Sequence, residues 1–435
     1  MQFYSTNNKS RCVSLNQAIF QSLPEDNGLY MPDFIPKFDN KFIQSLDSLS
    51  FQEIAYEVSR QLLHGEIEDT ALKNIVEEAI NFPAPVIALE KNVYVLELFH
   101  GPSMAFKDFG ARFMSRAMEY FLKKGKRKLN ILVATSGDTG GAVAMGFYDV
   151  PDIQVTILYP SGKVSPVQEQ QLTTLGKNIT ALEIKGTFDD CQRLVKQAFL
   201  DKDLNRQLNL SSANSINIAR LIPQTFYYFN AVAQIRSKGD KRPIVFSVPS
   251  GNFGNITAGL ISQRMGMPVH HFVASTNIND EVPQYLQSGK FIPYPSKHTL
   301  SNAMDVGNPS NFSRMLDLFD KDVDKMASVI SGYSFDDEET KAGIRHVFDQ
   351  HKYVMCPHTS VAYLGLKEYL KEYPDKDLAG VFLSTAHPCK FPDVFEEDIK
   401  KQIVYPSQVA MLKDKKKNAV LMDNDFEALK VFLLK

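Results

Sequence analysis

The sequence predicts an α/β protein with parallel β-sheets covered by helices, preceded by a mainly helical N-terminal part. From residue 93 onward, short apolar runs typical of buried strands alternate with segments whose apolar residues recur every three or four positions. Residues 1–92 show chiefly the helical spacing, within 13–23, 49–65 and 69–80. The length of 435 residues and the 44% hydrophobic content allow about two or three domains with sizeable cores.

Composition excludes several classes of protein. The net charge is -2 and the lysines and arginines are scattered, which argues against nucleic acid or a membrane surface as a partner. The four cysteines lie far apart, and no apolar stretch reaches the about 18 residues that a membrane span requires. The N-terminal residues lack the apolar core of a signal peptide. We therefore expect a cytoplasmic protein with no zinc pattern and no bound metal.

The first α/β element carries the residue of greatest chemical interest. Residues 93–99 form an apolar run that predicts a buried strand, Gly101-Pro102 breaks it, and helical spacing follows up to Gly125. Lys107 is expected in the turn just ahead of this helix, with Asp108 as its cap. The helix dipole and partial burial both disfavour an ammonium there, so Lys107 can be a nucleophile toward a carbonyl. Most lysines are solvent-exposed, so this residue alone does not decide the matter.

The second element is a strand at 131–134 followed by a loop of small residues, Thr135-Ser136-Gly137-Asp138-Thr139-Gly140-Gly141, and a helix from Ala142. Hydroxyls and glycines ahead of a helix bring backbone N–H groups close to a carboxylate or phosphate. The alternative is a tight β-α turn without a ligand.

Three more strands are predicted at 153–159, 179–184 and 208–212, with helices at 164–175 and 188–200. The stretch from Ser211 to Arg220 is unusually polar for a strand end. Its amides, hydroxyls and the Arg220 guanidinium can hold an anionic group, because arginine offers a fork of donors to phosphate oxygens. An asparagine-rich turn with a surface arginine is the competing interpretation.

The next element is a strand at 244–248, the loop Gly251-Asn252-Phe253-Gly254-Asn255 and a helix at 256–265. Two glycines three residues apart let the backbone wrap an anion at a helix start, although an unliganded turn is also possible. Neither a dinucleotide fingerprint nor a Walker lysine is present. The core ends with a strand at 379–383 that runs into Ser384-Thr385-Ala386-His387-Pro388-Cys389-Lys390-Phe391.

Together these stretches resemble the threonine synthase family, pyridoxal-phosphate (PLP) enzymes with the tryptophan synthase β-subunit fold. The most specific marks are Phe106-Lys107-Asp108, the 135–141 loop, Ser301-Asn-Ala-Met-Asp-Val306 and the 384–391 stretch, in this order along essentially the whole chain. The resemblance implies a fold-type II enzyme with two parallel α/β domains and the cofactor between them. The expected domains are a helical part at 1–92, a large PLP-binding domain at 93–130 and 226–435, and a smaller nested domain at 131–225.

The resemblance also implies residue roles. Lys107 would form the Schiff base, the 251–255 loop would cradle the cofactor phosphate, and Thr385 would face the pyridine nitrogen. Broader relatives often have asparagine where Asp138 stands, beside the cofactor's phenolic oxygen; two anions there would repel, so the role of Asp138 stays open. The implied substrate contacts come from Ser103, Thr135, Ser136, Gly137, Thr139, Ser215, Asn217, Arg220, Asp305 and Asn308, the last two in a segment at 301–314 that either closes over the substrate phosphate or only packs.

The implied reaction converts O-phospho-L-homoserine and water to L-threonine and phosphate by γ-elimination and β-hydration. The alternatives on the same scaffold are a hydroxyamino-acid dehydratase, a cysteine-synthase-like enzyme, or a PLP-binding relative without catalysis. The expected partner is a small-molecule substrate, and the sequence leaves open whether the protein is a monomer or a homodimer.

Overall fold

A computed structural model of the chain describes residues 1–125, 128–412 and 414–435. The N-terminal part combines helices with a small antiparallel sheet of strand order β2-β1-β3, which the sequence analysis did not predict. Two of its helices begin at side-chain caps, Ser14 and Ser50, in segments where the sequence predicted helical spacing. The elements are β1 (Phe3–Ser5), β2 (Asn8–Val13), α1 (Leu15–Gln21), β3 (Tyr30–Pro32), α2 (Asn40–Ser45), α3 (Phe51–Leu63) and α4 (Asp69–Ala79).

The middle of the chain alternates strands with helices, as the sequence predicted. Strands β6, β7 and β8 pair in parallel, and their apolar residues are buried on both faces of the sheet. The elements are β4 (Val86–Glu90), β5 (Val93–Glu97), α5 (Lys107–Gly125), β6 (Leu129–Ala134), α6 (Asp138–Gly146), β7 (Ile153–Pro160), α7 (Pro166–Thr173), β8 (Ile179–Lys185), α8 (Phe188–Leu200), α9 (Lys202–Gln207), β9 (Leu210–Ser211), α10 (Ile218–Leu221) and α11 (Gln224–Ser237).

The last part of the chain completes the larger sheet and returns to the smaller one. Its elements are β10 (Ile244–Pro249), α12 (Gly254–Arg264), β11 (His271–Thr276), α13 (Glu281–Ser288), α14 (Phe312–Leu318), α15 (Val323–Ala327), β12 (Ile330–Ser334), α16 (Asp337–His351), α17 (Pro357–Glu372), β13 (Ala379–Ser384), α18 (Glu397–Lys400), α19 (Ser407–Ala410), β14 (Val420–Asp423) and α20 (Phe426–Leu433).

Two sheets form the scaffold of the site. A six-stranded sheet has the order β12-β11-β10-β13-β5-β4 and is parallel except for β4, which runs antiparallel to β5. A five-stranded parallel sheet has the order β14-β8-β7-β6-β9. We expected residues 226–435 to belong to the larger unit as a whole, but β14 pairs with β8 at the edge of the smaller sheet. The reason is local packing, since Met422 and Leu429 are buried with Leu194 in one apolar cluster.

No helix within the described residues is long and apolar enough to cross a membrane.

Candidate active site

Lys107 is the first residue of α5, not a residue of the preceding turn. Asp108 therefore lies in the first helical turn, where its carboxylate accepts from the backbone N–H of Ser103 (2.9 Å) and does not cap the helix from outside. The segment just before Lys107 runs alongside the end of β13: Phe106 N donates to Thr385 O (2.8 Å). This pairing brings the start of α5, with Lys107, next to the buried Thr385.

The surroundings of Lys107 favour its neutral form. Burial lowers the pKa of Lys107 to about 8; the Asp138 carboxylate opposes this shift, while the positive charges of Lys390 and Arg220 add to it. At pH 7 about a tenth of such amines are unprotonated, far more than for a lysine in water. Lys107 therefore has the protonation chemistry that a nucleophilic amine needs.

Asp138 begins α6 and lies in a dense set of donors. Lys390 Nζ is 2.6 Å from Asp138 Oδ1, and Gln168 Nε2 donates to the same oxygen (2.9 Å). Burial alone would raise the pKa of Asp138, but the charges of Lys390 and Lys107 and these hydrogen bonds hold it well below its ordinary value. Asp138 is consequently an anion across the physiological pH range.

The conformation of the rest of the 135–141 loop depends on the Thr135 hydroxyl and on glycine at position 137. Thr135 Oγ1 accepts from the N–H groups of Gly137 (2.9 Å) and Gly140 (2.8 Å), so its hydroxyl fixes the loop. Gly137 has φ of 137°, and a Cβ there would lie 2.4 Å from Gln168, so only glycine fits. Ser136 and Thr139 are partly exposed, which leaves their hydroxyls accessible to a ligand.

The 251–255 loop joins β10 to α12 with a strained but well-supported backbone. Phe253 is in the left-handed region (φ 60°) and α12 begins at Gly254, so backbone N–H groups converge at the helix start. A Cβ on Gly251 would lie 2.5 Å from Met304 Cα. Asn255 Nδ2 donates to Pro249 O (2.8 Å) and so closes the turn from within. The loop fits an anion held by backbone donors.

Residues 214–220 lie against this loop. Asn252 Nδ2 donates to Ser215 Oγ (2.6 Å), and the buried Arg220 donates through Nη1 to Ala213 O (2.5 Å). Gly110, one turn into α5, must be glycine because a Cβ would lie 2.6 Å from Arg220 Nε. Arg220 is thereby held near Lys107.

Asn217 differs from its neighbours because its amide is fully used inside the protein. Its Nδ2 donates to Ile19 O and Ser22 Oγ (both 2.8 Å), and its Oδ1 accepts from Ala219 N as the cap of α10. These bonds tie the 214–220 loop to α1.

The 301–314 segment packs on both loops. Ser310 N donates to Asn252 Oδ1 (2.6 Å), and the fully buried Arg314 donates to Ile216 O (2.7 Å). The Asp305 carboxylate accepts two hydrogen bonds from Thr299, one from its backbone N–H (3.0 Å) and one from its hydroxyl (2.7 Å). Asn308 is exposed at the tip of the segment.

Several buried polar atoms of the site lack a partner within the described residues: Ser103 Oγ, Asp108 Oδ1, Gln171 Oε1, Asn214 Oδ1 and Arg220 Nε. Buried polar groups are normally hydrogen-bonded, so such a concentration points to a ligand with both donors and acceptors. With the lowered pKa of Lys107 and the N–H groups of the 251–255 loop, these atoms fit a phosphorylated aldehyde cofactor and an amino-acid substrate.

The sequence analysis missed Lys390 and Gln168. Lys390 was visible as a lysine at the end of the 384–391 stretch, but nothing local indicated that it would be buried and paired with Asp138.

Comparisons with known proteins agree over the full chain. The family model described as "Pyridoxal-phosphate dependent enzyme" matches residues 79–385, "Threonine synthase N terminus" matches residues 2–80, and "Threonine synthase, C-terminal" matches residues 359–433. The threonine synthase of Haemophilus influenzae is 45% identical, with 100% of each chain covered.

Solved structures show the same likeness. The Escherichia coli threonine synthase structure is 42% identical, with a TM-score of 0.90 over 100% of this chain and 99% of that one. The PLP-bound threonine synthase of Brucella melitensis is 33% identical, with a TM-score of 0.92 over 100% of this chain and 99% of that one. A threonine deaminase of Solanum lycopersicum, at 14% identity and a TM-score of 0.57 over 88% of this chain and 97% of that one, shares the fold.

Proposed function

This chain belongs to the threonine synthase family, and from that premise we propose that it is a PLP-dependent lyase that converts O-phospho-L-homoserine and water to L-threonine and phosphate. The observation that carries the proposal is Lys107, an amine of lowered pKa at the start of α5. It lies near Thr385 and Asp138, in a site where several buried polar atoms have no partner among the described residues.

PLP, when bound, supplies an aldehyde that condenses with a primary amine and a ring that takes up electron density from the substrate's Cα. We assign Lys107 as the amine that anchors it, the backbone N–H groups of residues 251–255 as the holders of its phosphate, and Thr385 as the contact of its ring nitrogen. A hydroxyl at that nitrogen is neutral, so it does not enforce ring protonation as a carboxylate would. The fit rests on the N–H groups at the start of α12 and on the buried position of Thr385.

The substrate carboxylate is assigned to the 135–141 loop. The available donors are Ser136, Thr139, the hydroxyl hydrogen of Thr135 and the N–H groups at the start of α6. Thr135 Oγ1 accepts two backbone bonds and still has its own O–H to donate, and Gly137 shapes the turn. Ser103 is a further candidate contact, because its buried hydroxyl has no hydrogen-bond partner in the part of the chain that the structure describes.

The substrate phosphate is assigned to Ser215 and Arg220. Arg220 Nε is a buried donor without a partner in the described chain, and a phosphate oxygen would satisfy it with a charge-assisted bond. Asn217 is assigned an indirect role, because its amide holds the loop to α1. Asp305 and Asn308 are assigned to the segment that covers this region; Asp305 orders it through Thr299.

The Lys107 amine is also the proposed base. We assign Lys107 Nζ to take the proton from the substrate Cα and to return protons at later steps, where the bound cofactor would take up the electron density. Its lowered pKa makes the neutral form accessible near pH 7. Phosphate released in the same site can assist the addition of water.

The experiment is an assay of the cofactor-loaded protein with O-phosphohomoserine that follows phosphate and threonine together. We expect equal amounts of both products and a visible absorption band on addition of PLP. Phosphate without threonine would indicate a different lyase, and a visible band without either product would indicate a binding protein without catalysis.

We also propose a small-molecule substrate as the main partner and a cytoplasmic location. The four cysteines support this location because all are free thiols, as is usual in a reducing compartment.

A further inference from the structure

Lys390 is the second amine of the site and differs from Lys107 in its contacts. Its side chain is fully buried, and its Nζ lies 2.6 Å from Asp138 Oδ1 and donates to Ser103 O (2.9 Å). Asp138 follows β6 of the smaller sheet, and Lys390 follows β13 of the larger one. One ammonium thus joins loops from both sheets and the turn before Lys107.

A buried ion pair of this kind is costly to form and is retained where a charge is needed. Taking two charges out of water costs several kcal/mol per ion, so a neutral amide at position 138 would be the cheaper way to fill the space. Gln168 already supplies a hydrogen bond that orients the group at position 138. The extra feature that Lys390 brings is therefore its charge, which compensates a carboxylate placed near Lys107.

We propose that Lys390 is a positioning residue: by pairing with Asp138 it keeps that carboxylate ionised and fixed in direction, and the two residues together set the charge that the nitrogen of Lys107 experiences. This inference rests on the proposed function in so far as Lys107 anchors the cofactor. The inference explains how a carboxylate can lie beside the cofactor's phenolic oxygen, where two anions would repel each other. The ammonium of Lys390 makes the Lys390–Asp138 pair neutral overall.

The other charged and titratable groups that act on this nitrogen or on the pair come from four elements. Among the described residues, Asp108 comes from α5, Arg220 from α10, His358 from α17 with Cys356 as its N-cap, and His387 and Cys389 from the turn after β13. Of these, Arg220 and His358 interact with the charge of Lys107. Both are common to every variant considered below, and burial lowers the pKa of His358 to about 4, so His358 is neutral where Lys107 titrates.

The test compares Lys390→Met, Asp138→Asn and the double variant with the natural protein, each loaded with PLP. The readout is the pH midpoint of the visible absorption band, which reports the proton at the nitrogen of Lys107. Lys390→Met removes a positive charge, so we expect the midpoint to rise; Asp138→Asn removes a negative charge, so we expect it to fall, each by about 1 pH unit or more. In the double variant the midpoint should return toward the natural value.

Lys185→Met is the matched control, because Lys185 is an exposed lysine that pairs with Asp423 at the edge of the smaller sheet. It should leave the midpoint unchanged. If Lys390→Met fails to fold, the comparison of Asp138→Asn with the double variant still tests the inference. Removal of the Lys390 charge from the Asp138→Asn variant must raise the pH midpoint of the visible band.

A second readout needs no cofactor. The melting temperature of the cofactor-free protein should fall in each single variant, and the double variant should lose less than the sum of the two, because neither substitution leaves an unpaired buried charge in it.

Midpoints that do not move, or that move in the same direction in both single variants, would overturn the inference. So would additive losses in melting temperature. Absence of a visible band in the natural protein would instead refute the proposed function, and the melting-temperature comparison would then still test the charge pair.

Discussion

Arg220 offers the sharpest test of how the substrate is recognised. The guanidinium is 3% exposed, one of its nitrogens is committed to Ala213 O, and Nε is a donor that the described chain leaves without a partner. If Nε meets the substrate phosphate, Arg220→Lys keeps the charge but removes the fork that aims this donor.

The expected loss in kcat/KM follows from the single hydrogen bond that this substitution removes. A hydrogen bond between charged groups contributes about 1.5–3 kcal/mol, and each 1.4 kcal/mol is about a factor of ten, so loss of one such bond lowers kcat/KM about 10- to 150-fold. The assay is steady-state turnover of O-phosphohomoserine. Inhibition by inorganic phosphate should weaken in parallel, while the visible band of the bound cofactor stays unchanged.

Arg236→Lys is the control, since Arg236 is a part-buried arginine that also donates to a backbone carbonyl, Ile43 O (3.0 Å), away from the site. It should leave kcat/KM unchanged. If Arg220→Lys retains the natural kcat/KM, or if it loses the cofactor band along with activity, then the assignment of Arg220 to the substrate phosphate is refuted.

Three further predictions follow from single residues. The rate at which cofactor-free protein captures PLP covalently should rise with pH, reach half its maximum near pH 8 and level off above about pH 9, because only the neutral Lys107 amine reacts. Stopped-flow absorbance measures this rate, and a rate that still rises steeply toward pH 10 would contradict the prediction. Burial lowers the pKa of His358 to about 4, so the unfolded chain takes up this proton at a higher pH than the folded protein does. The free energy of unfolding should therefore fall by up to about 3 kcal/mol as the pH drops from about 6.5 to 4. In urea unfolding His358→Gln should make this pH dependence shallower, and an unchanged slope would count against the prediction. Gly251→Ala should weaken PLP binding by about 5- to 150-fold, because a Cβ placed 2.5 Å from Met304 Cα forces the loop to shift at a cost of about 1–3 kcal/mol. Gly125→Ala is the control, since its added Cβ meets no described atom, and this variant should bind PLP as tightly as the natural protein does in a fluorescence titration.

Local patterns in the sequence were sufficient for the elements that present the site. The apolar run that became β5 and the helical spacing from Phe109 to Tyr120 placed Lys107 at a strand-to-helix connection, because a short apolar run and a period of 3.6 are local properties of the chain. The glycines of the 251–255 loop likewise predicted a tight turn at a helix start. Bounds differed by a few residues, most visibly at α6, which begins at Asp138 and not at Ala142.

The contacts that give these residues their chemistry required the folded chain. Lys390 meets Asp138 only because the turn after β13 and the start of α6 converge from two different sheets, and no pattern near either residue records a partner 252 positions away. Asn217 is drawn to α1 in the same way, across about 200 residues. The sequence by itself determined which residues could react and on which element each one lies. Tertiary structure alone decided which charges face one another in the buried site: it paired Lys390 with Asp138, and through burial it lowered the pKa of Lys107.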